Sequence, residues 1–454
     1  MESLKSINPY TQEEIAHYEP LSEAAWRQRV AASETCFADY QHSSWSDRSL
    51  YLKRLAQLLE SEGAEHAPLL SREMGKPVRE ARAELEKCAW VCRYYAEEGP
   101  RHLAGRTERT EAESSYVRYD PLGLILAIMP WNYPFWQVFR FAAPALMAGN
   151  VALLKHAPNV QGCAHLLEAL FRKAGFPEGA FQNLALRQDQ VAQVLAEPAV
   201  KAVSLTGSVG AGRAVAAEAG KHLKPTVLEL GGSNAFILFP DADLAQAADL
   251  AVDARMKNNA QSCIAAKRFI VPEGRASDFA EAMVERLKEL KKGNPLEEST
   301  DLGPLARVDL AKNLEDQVIR SQQAGAHLYW GGGREGAFYH PAVLTGVRPG
   351  MPAFEEELFG PVVAIMEAPD VDQAIALSNK SVYGLGVSLI TQAPQAAEKY
   401  VPLIEDGAVF INEAVKSDPR LPFGGTKQSG YGRELSREGI RAFCNVKTVY
   451  RSHL

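Results

Sequence analysis

Leu124-Ile125-Leu126-Ala127-Ile128-Met129, closed by Pro130-Trp131-Asn132-Tyr133-Pro134, decides how the chain is read. A short apolar run ended by proline reads as a strand, not a helix. The same texture recurs at Val151–Leu154, Ala202–Leu205, Thr226–Leu228, Ala235–Leu238 and Phe269–Val271. It returns at Val362–Ile365, Val387–Ile390 and Ala408–Ile411. Ala-rich or amphipathic windows of about 12–20 residues separate the runs. Strands alternating with helices predict an α/β fold whose parallel sheet is built of βαβ units.

Outward from that core the period is helical. Trp26, Val30, Ser33 and Phe37 share a face, with Ser22 as N-cap. Tyr51, Leu55, Leu58 and Leu59 repeat the pattern, as do Leu85, Cys88, Cys92 and Tyr95. Cys88 and Cys92 lie on one face with no His or third Cys beside them, so they read as core thiols. A helix is expected over Ser277–Lys292, stopped by Gly293, and another near Val371–Ser378. Gly331-Gly332-Gly333 reads as a flexible loop. No internal repeat appears, and Leu228–Asn234 is the natural boundary between domains.

The chain has 454 residues, 46% hydrophobic and 23% charged, with a net charge of −7. It has room for a large core and, at roughly 150 residues per domain, about three domains. Mild acidity argues against nucleic acid, which needs a basic face. No run approaches the roughly 18 apolar residues of a membrane span. Met1-Glu2-Ser3-Leu4-Lys5 lacks the order of a secretory signal, and six cysteines in so long a chain form no disulfide framework. These features point to a cytoplasmic setting, and no metal cluster is foreseen.

Several segments could carry chemistry. Cys263, in Asn259-Ala260-Gln261-Ser262-Cys263, has small polar flanks that suit a nucleophile whose thiolate is favoured. A buried structural cysteine is the alternative. Glu229 ends an apolar strand before Gly231-Gly232; it reads as a general base of raised pKa or as a solvated loop carboxylate. Asn132, between two prolines, is an oxyanion donor or a turn cap. Thr206-Gly207-Ser208 opens a helix and suits an anion, although its spacing is not the dinucleotide fingerprint.

Taken together, Pro130-Trp131-Asn132, Leu154-Lys155, Leu205-Thr206-Gly207-Ser208, Leu228-Glu229-Leu230-Gly231-Gly232, Gln261-Ser262-Cys263, Glu357-Leu358-Phe359-Gly360-Pro361 and Pro422-Phe423-Gly424-Gly425 resemble the aldehyde dehydrogenase superfamily, in order. The likeness runs from about Asn8-Pro9 to the C-terminus. It implies a Rossmann-like cofactor domain (1–106 and 121–228), an α/β catalytic domain (229–425), and a small β bridging element (107–120 and 426–454) that joins subunits into a homodimer or homotetramer. It implies that Cys263 attacks an aldehyde, that Asn132 and the Cys263 N–H hold the oxyanion, and that Glu229 activates water. Trp131, Gly207 and Ser208 would flank the cofactor pyrophosphate, with Lys155, His156 and Pro158 at the adenosine ribose. Leu230 would hold the carboxamide, and Glu357 and Phe359 the nicotinamide ribose and ring. Relatives that prefer NAD often carry Glu where Pro158 stands, so NADP is expected alongside NAD.

The likeness extends to substrate. Arg140, eight residues after Asn132, stands where succinate-semialdehyde dehydrogenases carry an arginine that clamps the distal carboxylate. Ser417 matches a serine of that clamp, Lys257 stands where a second Arg is common, and Arg420 adds another cation. Lys155-His156-Ala157-Pro158-Asn159 is similar to the compact bacterial branch of those enzymes. The expected substrate is therefore succinate semialdehyde. The alternatives are glutarate semialdehyde, an uncharged aldehyde, CoA-acylating chemistry (which usually lacks Glu229), a cysteine hydrolase, or a non-catalytic protein.

Overall fold

The computed structural model describes residues 4–452; the outermost ends of the expected cofactor domain and bridging element, 1–3 and 453–454, and the first three residues read for a signal lie outside the described residues. Two sheets dominate. The first has six strands in the order Gly430–Tyr431, Thr226–Glu229, Val200–Thr206, Leu124–Met129, Val151–His156, Phe181–Asn183, parallel except for Gly430–Tyr431. The chain fills one flank outward from Leu124–Met129, then returns to fill the other. That is the doubly wound order, and its switch point lies between Leu124–Met129 and Val200–Thr206. A crevice must open where these strands end, at Pro130–Asn132 and Thr206–Ser208.

The second sheet has seven strands: His327–Gly331, Ala342–Thr345, Val362–Ala368, Ala266–Pro272, Asn234–Leu238, Val387–Ile390 and Val409–Ile411, with only the first antiparallel. Its side chains alternate between two cores. Ala235 and Ile237 enter one cluster, and Phe236 and Leu238 the other. A third sheet, antiparallel, joins Arg106–Thr107, Ser114–Pro121 and Cys444–Arg451.

The helices follow their sequence signals. Glu23–Tyr40 is capped by Ser22, whose hydroxyl accepts from the Ala25 N–H. Trp45–Met74 starts on a Ser44/Asp47 capping box and stops at Gly75 in the left-handed region, φ 85°. Cys88 and Cys92 are fully buried on Val78–Leu103. Two expectations need correction. The helix foreseen to Lys292 ends at Glu289, because Leu290 turns extended and Lys292 forms a bridge with Leu302. Gly331 belongs to the strand His327–Gly331 rather than to a loop, and Gly331, Gly332 and Gly333 turn the chain with φ 74°, 86° and 87°. A Cβ on Gly331 would meet the Pro341 carbonyl oxygen at 1.9 Å.

Candidate active site

The C-terminal ends of the first sheet meet the N-terminal ends of the second. Gly207 N–H donates to the Glu229 carbonyl at 3.0 Å, and the Gly232 N–H to Glu357 Oε1 at 3.1 Å. The Gly231-Gly232 pair exists for close approach. A Cβ on Gly231 would lie 2.5 Å from Glu357 Oε2, and one on Gly232 would lie 2.6 Å from the Cys263 carbonyl.

The segment before Cys263 is strained. Asn258, Asn259 and Ala260 all lie in the left-handed region, with φ 60°, 54° and 59°. Each non-glycine residue there costs on the order of 1–3 kcal/mol and persists only if its surroundings hold it. They do. Asn258 N–H donates to Glu80 at 2.6 Å, and Asn258 Nδ2 to the carbonyls of Asn132 and Gln261 at 2.8 and 3.0 Å. Asn259 Nδ2 donates to Gly75 and Pro304 at 2.8 and 2.9 Å, and Asn259 Oδ1 accepts from Gly303. Asn132 Nδ2 donates to the Gln261 carbonyl at 3.0 Å, which fixes its amide beside the cysteine loop. Lys267 Nζ donates to the Ser262 and Cys263 carbonyls, each at 2.9 Å, and pairs with Glu357 at 3.4 Å. Among the described residues the Cys263 N–H has no acceptor.

Cys263 is half-buried and lines a cavity of about 550 Å³. Burial pushes its thiol up to about 11, although Arg140 and Lys267 pull the other way. Burial thus works against the favoured thiolate that the sequence led us to expect, and the two cations work for it. Glu229 is 2% exposed, so it is no solvated loop carboxylate, and its Oε1 has no partner among the described residues. Burial raises its pKa well above the carboxylate range; Glu434 adds to this, and Arg140 and Arg433 oppose it.

The groups gathered at the switch point suit a dinucleotide. Ser208 caps the helix Val209–Lys221, accepting from Ala211 N–H at 3.2 Å, so first-turn N–H groups face the switch-point crevice. Gly212 lets Leu230 nest against this helix, where a Cβ would come within 2.6 Å. Trp131 and Phe359 pack edge to face at 5.8 Å. Lys155, half-buried, lies near the end of its strand, and Pro158 opens the one-turn helix Pro158–Val160. Helix N–H groups and a lysine suit phosphates, and Glu357 suits ribose hydroxyls. His156 is different. It is 1% exposed, Nε2 meets the Pro134 carbonyl at 2.9 Å, and Nδ1 accepts from Ala157 N–H at 3.0 Å. Burial lowers its pKa to about 4. This ring braces the Pro130–Pro134 turn, and both its nitrogens are committed to backbone.

The substrate-side predictions separate. Arg140, 1% exposed, lines the same cavity as Cys263, pairs with Glu434, donates to Thr206 at 3.3 Å and lies over the Phe423 ring at 4.4 Å. Ser417 also lines the cavity and accepts from Lys87 at 2.9 Å. Lys257 stands at the rim, exposed and paired with Asp253 at 2.7 Å. Arg420 pairs with Asp418 on the surface and does not line the cavity.

Sequence reasoning missed the residues that hold this site together. Glu84 Oε1 accepts from the Phe135 and Trp136 N–H groups at 2.8 and 2.9 Å, capping the helix Trp136–Ala148, and also pairs with Lys76. Arg255, fully buried, donates to the carbonyls of Leu358, Gly360 and Val362, locking the turn that carries Glu357 and Phe359. Glu434, Lys267 and Lys87 were missed too. No local pattern marks any of them, since their partners are remote in sequence.

A half-buried cysteine on a cavity, with a buried carboxylate and a fixed amide close by in the fold, is an arrangement suited to a cofactor-dependent enzyme of the thiol type. The chain belongs to the aldehyde dehydrogenase family, whose model matches residues 1–449, and it is an oxidoreductase. It is 46% identical over 451 residues to a probable succinate-semialdehyde dehydrogenase (NADP+) of Synechocystis sp., covering 99% of each chain. It is 46% identical to a succinate-semialdehyde dehydrogenase (NADP+) of Mycobacterium avium, covering 98% of this chain and 96% of the other. Among solved structures, the succinic semialdehyde dehydrogenase of Streptococcus pyogenes in complex with NADP+ superposes with a TM-score of 0.97 at 34% identity, covering 99% and 100%.

Proposed function

We propose that the protein oxidises succinate semialdehyde, or a short aldehyde of the same ω-carboxy class, to the dicarboxylate with NADP or NAD. The observation that carries this is Arg140, a buried guanidinium lining the same cavity as Cys263. The names of the relatives point the same way. The absence of an acidic residue at Pro158 supports use of NADP.

The residues divide the work. Cys263 reacts as the thiolate, its proton released to solvent through the cavity, and adds to the aldehyde carbonyl. Asn132 Nδ2 and the uncommitted Cys263 N–H take the oxyanion charge. A bound nicotinamide supplies the hydride acceptor that leaves a thioester on Cys263. The open Oε1 of Glu229 then orients and deprotonates the water that releases the acid. A base held here favours hydrolysis over acyl transfer to CoA. We assign 1–106 and 121–228 to the cofactor domain, 229–425 to the catalytic domain, and 107–120 with 426–454 to a bridging element that makes a homodimer or homotetramer. Exposed Tyr116, Val446 and Tyr450 on the three-stranded sheet support that last role. A cytoplasmic location agrees with six free cysteines. Among the described residues no helix is long and apolar enough to cross a membrane.

The test is kcat/KM for succinate semialdehyde, glutarate semialdehyde, butanal and benzaldehyde, each with NADP and NAD. The carboxylated aldehydes should lead by at least about tenfold, as a charge-assisted contact implies. Butanal turned over as well as succinate semialdehyde would refute the proposal.

A further inference from the structure

The cavity beside Cys263 is lined by four cations: Arg79, Lys87, Arg140 and Lys257. Three have carboxylates of their own. Arg79 pairs with Asp301, Arg140 with Glu434, and Lys257 with Asp253. Lys87 pairs with none among the described residues. Its Nζ sits over the Trp136 ring, 4.4 Å from the centroid, and its one hydrogen bond goes to Ser417 Oγ at 2.9 Å. An ammonium has three donors, so two remain open. A largely enclosed cation without an anion is costly unless something of opposite charge visits it.

We infer that Lys87, held by Ser417 and Trp136, is the second cationic group for the distal carboxylate of the substrate, acting beside Arg140. This rests on the ω-carboxy aldehyde reading and deepens it. It also moves the second cation from Lys257, which stands exposed at the rim of the cavity, to Lys87 on the helix Val78–Leu103. Lys87 is a specificity residue and touches no reacting atom.

The groups facing Lys87 make this visible in a pH profile. Burial pushes its ammonium down to about 8, with the charge of Arg140 adding to the effect. Glu84 and Cys88 on its own helix and Asp418 beside Ser417 oppose the shift, while Arg79 and Glu80 from the same helix and Asp253, Lys257 and Cys263 from the far side also line the cavity. A bound carboxylate favours the charged form. Affinity is therefore full below about pH 8 and is lost as pH rises through that value.

The experiment compares wild type, Lys87→Met and Lys87→Arg with succinate semialdehyde and butanal across pH. In Lys87→Met the ratio of kcat/KM for succinate semialdehyde over butanal should fall about tenfold to a hundredfold. Lys87→Arg should recover most of that ratio. The wild-type KM for succinate semialdehyde should rise above about pH 8, and in Lys87→Arg it should stay flat there, because a guanidinium does not titrate in that range. A Lys87→Met ratio equal to wild type overturns the inference, and so does a loss shared equally by both aldehydes. If Lys87→Met does not fold, a wild-type KM that stays flat through this pH range overturns it alone. Wild type that prefers butanal would instead defeat the substrate assignment, so the two failures are distinct.

Discussion

Arg140→Leu should do more than weaken substrate binding. Arg140 and Glu434 are 1% and 4% exposed and pair with each other. Removing the guanidinium leaves Glu434 buried with only the 3.3 Å contact to Ser204, and leaves Phe423 and Thr206 without their cation. Breaking one side of a buried pair costs about 3–5 kcal/mol, because the other charge stays desolvated and alone. At about 2–4 °C per kcal/mol for a domain of some 150–250 residues, the melting temperature should fall by on the order of 6–20 °C. Arg140→Leu/Glu434→Leu removes both charges and should regain most of that loss, as apolar replacements of buried pairs do. The assay is thermal unfolding followed by circular dichroism at fixed enzyme concentration. An Arg140→Leu that melts with wild type, or a double variant no better than the single one, would refute the pairing argument.

Two further outcomes are expected. Since burial holds the Cys263 thiol near 11, alkylation of the cofactor-free enzyme by iodoacetamide should keep accelerating from about pH 8 to about pH 10; a plateau near the ordinary thiol value, about 8.5, would contradict the buried-thiol assignment. Pro158→Glu puts a carboxylate where a 2′-phosphate would sit, so the NADP-to-NAD ratio of kcat/KM should drop by roughly tenfold or more; an unchanged ratio would move the phosphate site elsewhere.

Most strands at the centre of the two sheets were legible because their apolar runs are local, whereas short or edge strands such as Phe181–Asn183, His327–Gly331 and Ala342–Thr345 were not read. Leu124–Met129 and Val387–Ile390 appear where the runs stand, and the other runs differ only at their ends. Asn132, Glu229 and Cys263 were singled out through the order of their motifs, and the fold ties the Asn132 amide to the loop that carries Cys263. Their electrostatic state was not legible, since it comes from burial and from Arg140, Lys267 and Glu434, which only the fold brings near. The left-handed arc at Asn258–Ala260 was equally hidden. Asparagine tolerates that backbone, but nothing in the sequence says that Glu80, Gly75 and Gly303 will hold it. His156 shows the opposite failure. The family resemblance implied a place at the adenosine ribose, whereas tertiary packing turns its ring onto the Pro134 carbonyl. Lys87 lies in an ordinary amphipathic helix, and only Ser417, 330 residues away, marks it out.

The most direct test is Glu229→Gln mixed with succinate semialdehyde and NADP. If Cys263 captures the aldehyde and Glu229 activates the water, NADPH should appear in a burst of about one equivalent and then nearly stop. Intact-mass analysis should find the succinyl group on Cys263. Sustained turnover at the wild-type rate, or a burst that leaves Cys263 unmodified, would contradict the mechanism.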